Sequence, residues 1–313
     1  MFFEGSEKKL EVVVKPEAGY LRQKDESFWK QLVQASRAQI LSKISSESCD
    51  AYLLSESSLF VWDDHFTMIT CGQTTLVDGA LFFLKQYKAS QLLSFIYERK
   101  NEYFPHLQHT HFFQDIERLR EALKGKAFRF GNADEHHLFM FHADQAYQPE
   151  LHDTTLELLM YDLQGEVFES FRSKNQESDE IRRRTEINKI LPGFQIDDYV
   201  FQPCGYSLNA LKGAEYYTLH VTPQELSCYV SFETNVFYSE GYRDLVLKII
   251  EVFRPKSFDV VTFQPSYCQS MEVPGFERRS LVEEELSCGY GVVYSHFFQP
   301  AQAAKKAYFL KEV

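Results

Sequence analysis

The run Ala51-Tyr52-Leu53-Leu54-Ser55-Glu56-Ser57-Ser58-Leu59-Phe60-Val61-Trp62-Asp63-Asp64-His65-Phe66-Thr67-Met68-Ile69-Thr70-Cys71 decides the fold class. Residues 51–54 and 59–62 are apolar stretches with strand propensity, Asp63-Asp64 is a turn, and residues 66–71 return antiparallel. Further strands are predicted at 137–142, 216–221, 228–232, 258–263 and 289–297. Strands of this hairpin-like kind, mixed irregularly with helices, predict an antiparallel α+β layered fold over a regular parallel one.

Three segments read as helices. Phe28, Leu32, Val33, Ile40 and Ile44 follow a helical period, with Asp25 or Ser27 as N-cap, and predict one helix over 28–44. Leu76, Val77, Ala80, Leu81 and Leu84 share a face over 75–87. The cleanest stripe is Tyr242, Leu245, Val246, Ile249, Ile250 and Phe253, ended by Arg254-Pro255. The polar stretch 172–186 is the sharpest break in composition and reads as a solvated loop and helix; no internal repeat is visible.

With 313 residues, 44% of them hydrophobic and 15% aromatic, the chain has material for one large domain or two ordinary ones. Its longest apolar runs, such as 81–84, fall far short of the ~20 residues that span a bilayer, and no basic-then-apolar leader opens it, so a soluble, cytoplasmic protein is expected. The six cysteines, at 49, 71, 204, 228, 268 and 288, lack metal-ligand spacing and read as free thiols. His106, His109 and His111 lack acidic partners at fixed spacing, so no metal is expected. A net charge of −12 argues against a nucleic-acid backbone as partner.

Four further blocks carry chemistry: Phe2-Phe3-Glu4-Gly5-Ser6-Glu7, Pro203-Cys204-Gly205-Tyr206-Ser207, His220, and Tyr229-Val230-Ser231-Phe232-Glu233-Thr234-Asn235. The separation of Ser207 from His220 fits neighbouring strands joined by a turn at 212–214, which would set a hydroxyl beside an imidazole. With residues 52–61, these blocks resemble S-adenosylmethionine decarboxylase of the eukaryotic type. The similarity runs from Phe2 to about Phe263 and thins beyond it.

The resemblance implies a four-layer αββα sandwich of two similar halves, with 172–186 near their junction. It implies one decarboxylase domain that cuts itself between Glu56 and Ser57 into chains 1–56 and 57–313, Ser57 becoming a pyruvoyl cofactor. Ser57 Oγ lies one peptide bond from the Glu56 carbonyl, so an N-to-O acyl shift needs only local geometry. Ser207 and His220 would supply the base and the oxyanion donors, Cys71 the proton that completes decarboxylation, and Glu4 and Glu7 would join them.

For the substrate, S-adenosylmethionine, the resemblance places Phe3 and Phe201 on the two faces of adenine and backbone near Leu54 and Glu56 at its edge. One departure is Gln224, where the family has a glutamate that grips the ribose hydroxyls. A glutamine loses the charge, so hydrogen bonds of ~1.5–3 kcal/mol each fall toward ~1 unless Glu225 substitutes. Glu11, Asp153, Glu157 and Glu233 match an acidic site that binds putrescine as activator in some members. Here Ile69 stands where a lysine is usual and Lys9 where an apolar residue is usual, so Lys9, with Arg99, is expected to supply the missing charge, leaving putrescine with little or no effect. The resemblance admits a homodimer of processed protomers, and leaves open two rival readings: a non-catalytic relative that regulates an active partner, and the same mechanism on another amino acid.

Overall fold

Strand alternation sets the layers. In β1 (Lys8–Val14), Leu10, Val12 and Val14 pack into one apolar core while Lys9 reaches across to Glu157 on another sheet. The computed structural model, which describes residues 5–172, 176–224, 228–265 and 271–300, repeats this division throughout.

β1, β2 (Ile40–Ser45), β3 (Asp50–Leu54), β4 (Ser57–Val61), β5 (His65–Thr70), β6 (Leu92–Lys100), β7 (Gly125–Gly131) and β8 (His137–Ala143) make one antiparallel sheet, ordered β2-β3-β4-β5-β1-β6-β8-β7. The second holds β9 (Thr155–Tyr161), β10 (Gln195–Val200), β11 (Tyr206–Lys212), β12 (Glu215–Thr222), β13 (Tyr229–Thr234), β14 (Ser257–Gln264), β15 (Glu277–Glu285) and β16 (Gly291–Phe298), ordered β10-β11-β12-β13-β9-β14-β16-β15. Each strand of the second sheet occupies the place of the strand eight labels earlier, so the two halves share one topology.

Helices α1 (Glu26–Ala35), α2 (Leu76–Gln86) and α3 (Phe112–Arg120) cover the outer face of the first sheet through Trp29, Leu32, Phe83 and Ile116. Helices α4 (Glu166–Ser170), α5 (Ser178–Thr185) and α6 (Arg243–Phe253) cover the second through Phe168, Ile181, Val246 and Ile249. The result is the expected αββα sandwich. Between the sheets, apolar clusters lie around Phe60 and Tyr216 and around Ile96 and Phe263. Buried polar residues, Lys9 and Glu157 among them, also face this interlayer space.

Two expectations are corrected. The helix predicted over 28–44 stops at Ala35, Arg37 adopts a positive φ of 63°, and Ile40 and Ile44 belong to β2. Isoleucines four apart satisfy a period of 2 as well as 3.6, and β2 alternates half-buried with exposed residues along its length. The junction of the halves is not near 172–186 but between Ala143 and Thr155, where the first sheet ends and the second begins.

Candidate active site

β3 and β4 form a hairpin in which Leu54 faces Ser57, leaving Ser55-Glu56 as its two-residue turn. Neither turn residue takes the positive φ usual in two-residue hairpin turns; Ser57, the residue after them, does, at 129°, a region that serine rarely adopts. The twist has a steric consequence. Adjacent strand residues normally point to opposite faces, yet both serine hydroxyls reach the second sheet: Ser57 Oγ lies 2.9 Å from His220 Nε2 and Ser58 Oγ 2.5 Å from Asn209 Oδ1.

Cys71 follows β5, where Gly72 turns the chain at φ 65°. This places the Cys71 backbone N–H 3.0 Å and its thiol 3.4 Å from the Glu56 carbonyl oxygen. The bond between Glu56 and Ser57 thus has two donors on its oxygen, a hydroxyl beside its carbonyl carbon, and a base on that hydroxyl. The donors seen on this oxygen come from Cys71, whereas Ser207 and His220 are the residues expected to supply them. Ser207 Oγ sits 2.8 Å from His220 Nδ1, on the far side of the ring, where it orients the imidazole.

The imidazole is positioned by register. Ser207, His220, Ser231, Leu159 and Asp259 are consecutive partners across five strands. Burial pushes the His220 pKa down to about 3, so the ring is neutral at physiological pH and keeps a lone pair on one nitrogen. Ser231 donates to the carboxyl of Glu7, which burial pushes up to about 8. Because that pKa is raised on folding, the neutral acid stabilises the native state at low pH, and this contribution is lost as pH rises from about 4.5 to 8. We expect Glu7→Gln to flatten the fall in melting temperature between pH 6 and pH 9; identical slopes in variant and parent would refute the assignment.

A second cluster lies deeper between the sheets. The Lys9 ammonium is 3.0 Å from Glu157, 3.2 Å from Glu233 and 3.7 Å from Glu11, and Lys100 is 3.0 Å from the other oxygen of Glu157. Burial opposes ionisation of Glu157, but Lys100 and Lys9 hold its pKa down to about 2. Glu233 is pushed up to about 7 by burial, against the pull of Lys9, and accepts from Tyr216. Glu98, raised well above its usual range by burial, has one oxygen without a hydrogen-bond partner among the described residues. Asp153 stands apart, accepting from Tyr147 at 2.9 Å and Tyr290 at 2.7 Å, and shares with Glu11 the lining of a cavity of about 330 Å³.

Arg99 does not join this cluster. Its guanidinium faces the helix layer, bonded to Asp115, Glu102 and Thr110, and Lys100 is the second cation instead. Alternation explains the difference: Lys9 and Glu98 are cross-strand partners within the first sheet, so Lys100 shares their face and Arg99 does not.

Phe201 is half-buried, with its ring against Tyr199 at 4.9 Å and 64°. The Leu54 side chain belongs to the helix-side core. Burial raises the Glu56 carboxyl to about 7, with Lys8 pulling the other way. Gln224 is half-buried just beyond β12. Phe3, Glu4 and Glu225 lie outside the described residues.

The sequence model of the adenosylmethionine decarboxylase family matches residues 1–298. The chain belongs to that family. A relative named S-adenosylmethionine decarboxylase proenzyme in Leishmania donovani is 36% identical, over 83% of this chain and 73% of that protein. One of the same name in Xenopus laevis is 33% identical over 96% of this chain and 97% of the other. Among solved structures, the Trypanosoma brucei AdoMetDC-delta26 monomer superposes with a TM-score of 0.60 at 25% identity, covering 78% of this chain and all but 1% of its own.

Sequence reading of this decarboxylase missed Ser58, Asn209, Thr218, Glu98 and Lys100. The last two sit in Leu92–Lys100, whose Glu-Arg-Lys ending looks solvated but is buried. His136, Asp259 and His296 also converge, with candidate ligand atoms within 4.8 Å of one another. The Asp259 carboxylate, however, already accepts from Tyr161 at 2.7 Å, Tyr294 at 3.0 Å and His296 at 2.7 Å.

Proposed function

We propose that Ser57 attacks the carbonyl of Glu56, cuts its own chain and becomes a pyruvoyl group, and that residues 57–313 with 1–56 then decarboxylate S-adenosylmethionine. The protein is a decarboxylase that supplies the aminopropyl donor for spermidine and spermine. What carries the reading is the strained Ser57, its hydroxyl 2.9 Å from a neutral imidazole and its upstream carbonyl held by two donors.

In the first step the Oγ–carbon bond forms, the peptide C–N bond breaks, and the hydroxyl proton passes through His220 Nε2 to the departing nitrogen. The backbone strain at Ser57, of order 1–3 kcal/mol, is released as the peptide becomes an ester. His220 then removes the Ser57 α-proton, the Cβ–Oγ bond breaks, and Glu56 leaves as a carboxylate. The dehydroalanine left behind tautomerises and takes up water, releasing ammonia. The pyruvoyl group so formed supplies an electron sink for decarboxylation. Phe201 stacks on adenine, and Cys71, already beside the cleavage point, delivers a proton to the substrate α-carbon.

A denaturing gel with intact-mass measurement tests the cut: chains of residues 1–56 and 57–313 are expected, the second carrying a blocked terminus. A single uncut chain with ordinary serine at 57 would refute it.

In the acidic cluster, Lys9 takes the part of a diamine's ammonium against Glu157 and Glu233. Added putrescine is therefore expected to leave turnover within about twofold, whereas Lys9→Leu should make activity depend on it. A several-fold activation of the unsubstituted enzyme, or a Lys9→Leu variant indifferent to putrescine, would overturn this assignment.

A further inference from the structure

Three hydroxyls compete for one lone pair. His220 Nε2 lies 2.9 Å from Ser57 Oγ, 2.8 Å from Thr218 Oγ1 and 3.2 Å from Ser58 Oγ. A neutral imidazole nitrogen accepts one good hydrogen bond in its ring plane, and a proton donated by Ser58 or Thr218 would occupy the position that self-cleavage requires for Ser57.

Asn209 stands behind the two competitors. It is fully buried on β11, directly opposite Thr218 on β12, two residues along from the pair Ser207 and His220 and on the same face. Ser58 Oγ approaches Asn209 Oδ1 to 2.5 Å, a length that suits O–H···O and is too short for N–H···O, so the amide presents its oxygen to the hydroxyl. Thr218 Oγ1 lies 3.0 Å from the same oxygen and 3.0 Å from the Leu208 carbonyl. The amide nitrogen, by contrast, is buried without a hydrogen-bond partner among the described residues. An asparagine kept for its own satisfaction would not leave that donor idle; one kept as an acceptor for two hydroxyl protons does.

We propose that Asn209 is a positioning residue for self-cleavage: its carboxamide oxygen draws the protons of Ser58 and Thr218 away from His220, leaving Ser57 as the hydroxyl that gives its proton to Nε2. The proposal rests on the reading of Ser57 as the cleavage residue. The carboxamide oxygen of Asn209 acts through Ser58 and Thr218, to which it is bonded.

The test is a double-substitution cycle on freshly made full-length chain, following self-cleavage over time with circular dichroism on every variant. Asn209→Leu, similar in volume, is expected to slow cleavage at least tenfold, because the released Ser58 hydroxyl turns to Nε2. Adding Ser58→Ala removes that competitor, so Ser58→Ala/Asn209→Leu should cleave at least threefold faster than Asn209→Leu alone. A purely structural role predicts losses that add, and a double variant no faster than the single one overturns the proposal, as does an Asn209→Leu chain that cleaves at the parent rate. If Asn209→Leu does not fold, the double variant decides: folded and cleaving supports the proposal, whereas unfolded or uncut makes Asn209 a packing residue and overturns it. An unsubstituted control that never cuts would instead refute the assignment of Ser57 itself.

Discussion

Ser57→Ala is expected to leave the chain uncut at all times and without decarboxylase activity, a loss of more than about a thousandfold. The alanine keeps the Cβ, and the space left by one oxygen is small, so the sandwich should form and melt near the temperature of uncut parent protein. What disappears is the hydroxyl of the residue whose nitrogen is bonded to the Glu56 carbonyl, a hydroxyl 2.9 Å from His220. Ser58 cannot substitute, because its own upstream carbonyl belongs to Ser57 and not to Glu56, and its proton is committed to Asn209. Incubation over days with mass measurement checks the prediction. An active Ser57→Ala protein would end the pyruvoyl account, whatever the fold.

Cys71→Ala separates the two stages of the chemistry. The backbone N–H of residue 71 still donates to the Glu56 carbonyl, so cleavage should proceed, slowed by roughly tenfold through loss of the weaker thiol donor. Decarboxylation should then begin and die away within a limited number of turnovers, because no group at that position directs the proton to the substrate's α-carbon. A progress curve that bends over while substrate remains, with a changed mass for chain 57–313, is the expected signature. Steady turnover at the parent rate would show that another residue donates.

These expectations start from unequal footing in the sequence. The meander from Ala51 to Cys71 was legible because each of its strands is short, apolar and closed by a recognisable turn. Helix α6 was legible because one stripe runs its whole length and Arg254, in a left-handed conformation before Pro255, stops it. By contrast β1, β6 and β9 lie inside their sheets with both faces covered, one by helices and one by the other sheet. Their polar residues, Lys9, Glu98, Lys100 and Glu157, face each other and not water, which erases the alternation that marks a half-exposed strand. The doubling of the fold is invisible for a related reason: the two halves share strand order, which is a property of the backbone path, and need not share side chains.

By itself the chain's order of residues marked the proposed cleavage point, since at Glu56-Ser57 a hydroxyl and the carbonyl it would attack belong to covalently joined neighbours. It also placed Ser207 beside His220, because a hairpin brings residues at that separation into register. Only the packing of one sheet on the other decided the rest. It set His220 against Ser57, chose Lys100 over Arg99 as the partner of Glu157, and put Asn209 behind Ser58. Such contacts join residues more than fifty positions apart, and which of two neighbouring side chains makes them depends on strand register and on a single backbone angle at Ser57. No local pattern of residue types encodes either.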